Sequence, residues 1–171
     1  MYEIIYCDPP WAYGNTQLIE GKIKNASDAY PTMGLEELKK FPLPEIAPNS
    51  MMFMWTTGPC MEAALLLGRA WGFRFSTIAF VWDKMHCNPG FYTVSQVEYV
   101  LLFKRGKIPT PRGTRNEKQL LVEKRREHSR KPDEVRDRIS RMFPTQSKVE
   151  MFARTISPGW DVMGNEIDKF I

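Results

Sequence analysis

The tetrapeptide Asp8-Pro9-Pro10-Trp11 carries the residue types best suited to chemistry. It follows the apolar run Glu3–Cys7, which predicts a buried strand. Two consecutive prolines fix the backbone dihedral angles and remove two amide donors, so the loop offers a carboxylate, backbone carbonyls and one aromatic ring. Asp8 and a backbone carbonyl can each accept an N–H bond from a flat aromatic amine, while Trp11 covers the face of its ring. The 6-amino group of adenine is an amine of this kind.

Methylation of the bound amine is the chemistry that such a loop could support. The amine is a poor nucleophile because its lone pair is delocalised into the ring. Two fixed acceptors would favour a more tetrahedral nitrogen and aim the lone pair at an electrophilic methyl group, which is electrostatic preorganisation with positioning. The alternative interpretation is that the tetrapeptide only ends a strand and buries an indole. Four residues by themselves leave both interpretations open.

The elements that must position this loop follow the pattern of an α/β domain, in which short apolar runs alternate with amphipathic segments. We predict a single domain over residues 1–171, a length that suits one hydrophobic core. Helices are predicted at Gly34–Lys40, Pro59–Trp71 and Pro132–Met142. Further strands are predicted at Met51–Thr56, Phe73–Trp82, Val97–Lys104, Val149–Ala153 and Asp161–Met163.

Basic residues are concentrated in one block. Residues 104–131 contain 11 Lys or Arg and 3 Asp or Glu, a local net charge of +8, whereas the remaining chain has a net charge of −4. Such a block indicates a polyanionic partner such as nucleic acid, although it could also be a solvated loop that aids solubility. Its prolines and glycines predict a long, partly mobile loop, with a weak helix signal over Glu117–Glu127. We hypothesise that phosphates are held by Arg112, Arg115, Lys124, Arg125 and Arg126.

Composition excludes several other classes of protein. No apolar run approaches the ~18 residues of a membrane span, and the N-terminal sequence lacks a basic region followed by an apolar stretch. We therefore expect a cytoplasmic protein without membrane contact. Cys7, Cys60 and Cys87 form an odd, widely spaced set, which is typical of free thiols in a reducing compartment. With two histidines and no paired cysteine spacing, we expect no metal site.

The tetrapeptide resembles the catalytic motif of the MT-A70-like family of adenine N(6)-methyltransferases, which use S-adenosyl-L-methionine. Matches to other motifs of that family follow in the same order along essentially the whole chain. They are Tyr30-Pro31-Thr32-Met33, Met54-Trp55-Thr56-Thr57, Trp82 with Lys84, Gly90-Phe91-Tyr92 followed by Glu98 and Leu101-Leu102, His128–Glu134, Glu150–Arg154 and Gly159–Glu166. Two positions depart from the pattern, since Val94 stands where the family usually has an arginine and Met163 where it often has a second tryptophan.

The resemblance implies a Rossmann-like class I methyltransferase fold with a permuted order, in which the catalytic motif comes first. It further implies a single, mostly parallel sheet flanked by helices. The catalytic loop and the C-terminal cofactor elements would meet at the carboxyl ends of the strands, where α/β sheets bind ligands. Trp55, Trp71 and Trp160 are expected in the core.

The resemblance also implies roles for single residues toward the cofactor. Asp8 would lie near the methionine ammonium group, and Lys131 would contact the cofactor carboxylate. Arg154 would contact the adenosine part, with Asn165 and Glu166 on the ribose hydroxyls. The product of the cofactor would be S-adenosyl-L-homocysteine.

On the substrate side, the resemblance assigns Asp8 to the target amine and Tyr30 to a position near the target adenine. Glu98 would hold Lys131 or the target base. We expect DNA in preference to RNA, because the chain lacks the zinc fingers of larger RNA-directed relatives, and a second copy of the protein is a possible partner. The base must be flipped out of a duplex or offered on a single strand.

Three other interpretations stay open at this stage. The protein could be an RNA adenine N(6)-methyltransferase, since the family resemblance covers both polymers. It could be a non-catalytic nucleic-acid-binding partner subunit, although intact Asp8 and Trp11 argue against that. A small-molecule methyltransferase would have little use for the basic block.

Overall fold

The fold is described by a computed structural model for residues 1–12, 32–126 and 130–164. Seven strands run along this part of the chain: β1 Tyr2–Cys7, β2 Ile46–Thr56, β3 Arg74–Asn88, β4 Ser95–Arg105, β5 Leu120–Val122, β6 Lys148–Met151 and β7 Asp161–Met163. Three α-helices accompany them: α1 Leu35–Lys39, α2 Met61–Ala70, which follows a 3-10 turn at Gly58–Cys60, and α3 Asp133–Met142.

The described strands form one mixed sheet in the order β5-β3-β4-β2-β1-β6-β7. Strand β1 pairs in parallel with β2 on one side and β6 on the other. The β3/β5 and β6/β7 pairs are also parallel, whereas β4 is antiparallel to both β2 and β3. The predicted α/β class, with a single and mostly parallel sheet, is therefore confirmed.

The two faces of the sheet are covered by different helices. Successive side chains of β1 point to opposite faces, so Ile5 and Cys7 join the core cluster that contains α1 and α2 residues. Ile4 and Tyr6 join the second cluster, which includes Val135 and other α3 residues. Because helices cover both faces, the accessible part of β1 is its carboxyl end, which lies between β2 and β6. In α/β sheets, ligands bind in the crevice at the carboxyl ends of the strands.

The basic block does not form a free loop. Thr114 donates its backbone N–H to the carbonyl of Arg141 near the end of α3, at 3.0 Å. The Arg138 guanidinium on the same helix donates to the carbonyls of Lys118 and Leu120, at 2.7 and 3.1 Å. The weak helix signal over Glu117–Glu127, which predicts a helix only on binding, gives no helix among the described residues of this structure, because the middle of the stretch pairs with β3 as strand β5.

Several strand boundaries differ from the sequence prediction, and strand β2 begins at Ile46, five residues before the predicted Met51. Strand β3 continues past Trp82 to Asn88, which lengthens its hairpin with β4. Strand β6 ends at Met151, because Phe152 adopts a φ of +60° and turns the chain. Farther on, a Cβ atom at Gly164 would lie 2.7 Å from the carbonyl oxygen of Ala153, so only glycine fits this close approach. None of the described helices has the length and apolar character needed to cross a membrane.

Candidate active site

The loop after β1 is held by backbone hydrogen bonds. The carbonyl of Pro9 accepts the N–H of Trp11 at 2.8 Å, and the carbonyl of Pro10 accepts the N–H of Met33 at 2.7 Å. Each carbonyl oxygen retains a second lone pair that can accept another donor. The loop therefore presents the Asp8 carboxylate and proline carbonyls from a fixed backbone, as the two prolines predict.

Trp11 is an anchor of this loop. Its side chain is buried, and its indole N–H donates to the carbonyl of Trp55 at 3.1 Å. The Trp55 indole in turn donates to the hydroxyl of Tyr6 at 2.6 Å. The sequence predicts that Trp11 covers the face of a bound ring. In the structure its indole packs in the core instead, where its N–H donates to a backbone carbonyl. Trp55 and Trp160 are buried, as expected.

Four charged side chains of alternating sign line up beside the loop. The Lys131 ammonium lies 3.4 Å from Asp8 Oδ2 and 2.9 Å from Glu98 Oε2. Glu98 also faces Lys84 on the neighbouring strand, with Nζ and Oε1 3.4 Å apart. Lys131 lies over the ring of Trp55, 5.4 Å from its centroid, which adds a cation–π contact. Lys131 thus joins Asp8, directly after β1, to Glu98 on β4.

The two carboxyl groups of this row respond oppositely to their surroundings. Burial raises the pKa of Asp8, and the ammonium of Lys131 only partly opposes this. Burial acts in the same direction on Glu98, but Lys131 and Lys84 together hold its pKa below the usual value. Glu98 is therefore favoured in its charged form, whereas the carboxyl of Asp8 binds a proton more readily than an ordinary aspartate does.

The opposite wall is formed by the start of α3 and the end of β6. Arg136 donates to Glu150 at 2.9 Å and to Asp133 at 2.8 Å. Burial raises the pKa of Glu150, and the guanidinium of Arg136 opposes this. A cleft separates this wall from the β1 loop, and its lining residues are Tyr6, Asp8, Arg130, Lys131, Pro132, Asp133, Arg136, Glu150, Phe152, Arg154 and Thr155.

The structure brings together four of the residues that the sequence singled out: Asp8, Glu98, Lys131 and Arg154. Asp8, Lys131 and Arg154 line the cleft, and the charge of Arg154 acts on the pKa of Asp8 by lowering it. The predicted positions Tyr30, Asn165 and Glu166 lie outside the described residues.

The five basic residues expected at phosphates do not share one location. Lys124 and Arg125 are exposed, and the backbone N–H of Arg125 donates to the carbonyl of Lys84, which places them beside the site. Arg126 contacts Asp133 at 3.0 Å and Glu123 at 3.6 Å.

The structure does not bring Arg112 and Arg115 to the site. The Arg112 guanidinium lies 4.7 Å from the ring centroid of Phe143, just past the end of α3. Arg115 follows Thr114, which is bonded to Arg141 in the last turn of the same helix. The cleft lies at the other end of α3, about 14 Å away for a ten-residue helix.

Residues that the sequence analysis did not assign to the site are Tyr6, Lys84, Arg136 and Glu150. The signal for Glu150 was present, because a charged residue stands between Val149 and Met151 in a strand that is otherwise buried. The signal for Arg136 was incomplete, since Asp133 lies three residues before it but its second partner, Glu150, lies 14 residues away. No group of three or more potential metal ligands occurs among residues 1–12, 32–126 and 130–164.

Comparison with known proteins gives a consistent result. The MT-A70 family model matches residues 2–166. The chain is 50% identical over 181 residues to the type II methyltransferase M.MunI of Mycoplasma sp, covering 97% of this chain and 78% of that protein. It is 25% identical over 177 residues to an N(6)-adenosine-methyltransferase MT-A70-like protein of Drosophila melanogaster, and 26% identical over 178 residues to one of Arabidopsis thaliana. In both cases 98% of this chain is covered, but it spans only 27% and 24% of those proteins.

Proposed function

This chain belongs to the MT-A70 family, and from that premise we propose that it transfers a methyl group from S-adenosyl-L-methionine to the 6-amino group of adenine in DNA. The methyltransferase class and the family expected from the sequence are thereby confirmed. The observation that carries the proposal is the Asp8 carboxylate, fixed at the end of β1 on the floor of a cleft and paired with Lys131.

The side chains of the cleft fit S-adenosyl-L-methionine. Its methionine end carries an ammonium and a carboxylate, and the cleft offers both signs of charge: Asp8 and Glu150 for the ammonium, and Lys131 for the carboxylate. When bound, this cosubstrate supplies an electrophilic methyl group on a sulfonium. For its adenosine part we propose Arg154, together with Asn165 and Glu166, because carboxylate and amide groups suit ribose hydroxyls.

In this mechanism the protein acts by positioning. Asp8 accepts one N–H bond of the target amine, and a proline carbonyl with its remaining lone pair accepts the other. The nitrogen lone pair, which is thereby drawn out of conjugation, forms the new bond to the methyl carbon as the bond from sulfur breaks. The methylated amine then loses a proton to Asp8, whose raised pKa suits this transfer, and the proton passes to solvent. We propose that Lys131 holds Asp8 and Glu98 in place, with Tyr30 near the adenine.

DNA is proposed because the 50% identity is to a type II methyltransferase, whereas the proteins named for adenosine methylation are 24–27% identical. The exposed Lys124 and Arg125 beside the cleft would contact phosphates, and their contribution would decrease with salt concentration. Because the reaction requires DNA and the cosubstrate together, we place it in the cytoplasm.

The test measures methyl transfer from labelled S-adenosyl-L-methionine to matched DNA and RNA, followed by digestion to nucleosides. The wild type is compared with Asp8→Asn, and Asp137→Asn is the control, because Asp137 is an exposed carboxylate on α3. We expect N(6)-methyldeoxyadenosine from the wild type and the control, and a loss of at least a hundredfold in Asp8→Asn. If only the RNA is methylated, the substrate is RNA rather than DNA. No product on either polymer would indicate a non-catalytic partner subunit.

A further inference from the structure

The tip of the β3–β4 hairpin exposes aromatic side chains. Phe91 is 86% exposed and Tyr92 is 99% exposed, and Met85 and Val94 on the same hairpin are 60% and 64% exposed. Exposure of a large apolar side chain to water is unfavourable, so adjacent exposed aromatics commonly mark a contact surface.

The direction of the hairpin is fixed at its base. Asp83 Oδ1 accepts the backbone N–H of Met85 and the side-chain amide of Gln96, both at 2.8 Å. One carboxylate therefore clamps the two strands where their register shifts between Asp83 and Asn88. These hydrogen bonds fix the direction in which the tip of the hairpin extends from the sheet.

The tip lies at the same edge of the sheet as Asp8. Strand β4 pairs Tyr99 with Thr56 at the end of β2, and Glu98 is the next residue toward the tip. Ser95, at the start of β4, lies three residues farther on, about 10 Å at the rise of a strand. Phe91 and Tyr92 lie in the turn beyond Ser95, past the end of the strand that carries Glu98.

Exposed cations run beside this hairpin. The backbone N–H groups of Glu123 and Arg125 donate to the carbonyls of Asp83 and Lys84, at 3.2 and 3.1 Å. This pairing holds Lys124 and Arg125 next to the base of the hairpin, and both are exposed. Proteins bind nucleic-acid strands with aromatic side chains, which stack on the bases, and with cations, which contact the phosphates.

We propose that Phe91 and Tyr92 stack on the bases next to the target adenine and fill the space that it leaves when it is flipped into the cleft. This inference rests on the proposed function and extends it. Extrusion of a base costs a few kcal/mol of unstacking and unpairing, and inserted apolar side chains can offset part of that cost. The aromatics therefore assist methylation of a paired adenine and are dispensable for an unpaired one.

A nucleic acid suits this surface better than a second copy of the chain. A two-fold symmetric dimer places the same patch on both sides of the interface, so Lys124 and Arg125 would share that interface with their like-charged copies. Opposite a phosphate backbone, the same cations are complementary.

The experiment first locates the methylated site by sequencing a plasmid that the wild type has modified. Three short substrates are then made: a paired duplex, a duplex with the target adenine mispaired, and the single strand. The double variant Phe91→Ala/Tyr92→Ala is compared with Val94→Ala, an exposed aliphatic control on the same tip, and with Phe91→Trp/Tyr92→Trp. Cosubstrate affinity and oligomeric state are measured for each.

On the paired duplex we expect kcat/KM to fall about tenfold for each aromatic removed, hence about a hundredfold in the double alanine variant. The loss is less than threefold on the mispaired duplex and the single strand, and cosubstrate affinity is unchanged. The tryptophan variant restores activity, and Val94→Ala resembles the wild type.

Three results would overturn the inference: equal activity of the double alanine variant on the paired duplex, an equal loss on all three substrates, or conversion of a wild-type dimer to a monomer. The last result would assign the tip to a second copy. If the wild type methylates no DNA, the proposed function itself fails. The contact between the tip and DNA is then tested by measuring plasmid binding alone. Equal affinities of the wild type and the double alanine variant for the plasmid would refute that contact.

Discussion

Removal of the charge on Glu98 is expected to destabilise the whole domain. Glu98 lies 3.4 Å from Lys84 and 2.9 Å from Lys131, and its side chain is 12% exposed. The Lys84 side chain is 7% exposed, so Glu98→Gln leaves a buried ammonium without its counter-charge. Loss of one partner of a buried ion pair costs about 3–5 kcal/mol. Because both partners retain some solvent contact, we expect about 3 kcal/mol.

Urea denaturation near neutral pH measures this effect. With a slope of about 2 kcal/mol/M, the midpoint of Glu98→Gln should be about 1.5 M lower than that of the wild type. The control is Glu36→Gln, whose carboxylate lies only 2.7 Å from Lys39 but is 76% exposed. Exposed pairs contribute at most about 1 kcal/mol, so the shorter ion pair should be the less important one.

A second substitution separates loss of charge pairing from loss of packing. In Lys84→Met/Glu98→Gln no ammonium is left at position 84, so we expect the double variant to be at least about 1 kcal/mol more stable than the sum of the single effects. If Glu98→Gln unfolds at the same urea concentration as the wild type, or if the two effects are additive, Glu98 is not the counter-charge described above.

Three further predictions concern the β1 loop and the end of β7. The rate of methyl transfer should fall as the pH decreases through the pKa of Asp8, which burial raises, and Lys131→Met should move this fall to higher pH in a pH–rate profile, because the cation that opposes the raised pKa is gone. Trp11→Phe loses the 3.1 Å indole bond and should lower the free energy of unfolding by about 1 kcal/mol in urea. Gly164→Ala should lower the midpoint of thermal unfolding by at least about 2 °C in calorimetry, since its methyl group would lie 2.7 Å from a carbonyl oxygen.

The elements around the loop after β1 could be predicted because their signals are local. Four consecutive buried residues in β1 and the prolines after them are consistent with a central strand and a rigid loop. Strand β5 has no comparable signal. Its three residues form a strand because Val81–Asp83 of β3 pair with them and Arg138 donates to the carbonyl of Leu120. A short strand defined by remote partners cannot be distinguished from a loop or a helix in sequence.

The residues of the candidate site also divide into those with a local signal in the sequence and those whose position depends on remote contacts. The presentation of the Asp8 carboxylate on a rigid loop could be predicted because two prolines follow it directly, but the burial of Trp11 depends on a carbonyl 44 residues away. The basic block likewise has uniform charge in sequence, whereas the packing of α3 places Arg112 at one end of the domain and Lys124 at the other. Net charge identifies a class of partner, and only the tertiary contacts identify which cations can reach it.

The position of β1 in the middle of the sheet has a consequence for amide hydrogen exchange. Both of its edges are paired, with Ile4–Cys7 in register with β2 on one side and β6 on the other. The backbone amides of such a strand exchange only when the whole domain opens, whereas the short edge strands β5 and β7 can detach separately. Warming should therefore detach the edge strands β5 and β7 first. Strand β1, and Asp8 directly after it, should stay in position until the domain unfolds as a whole.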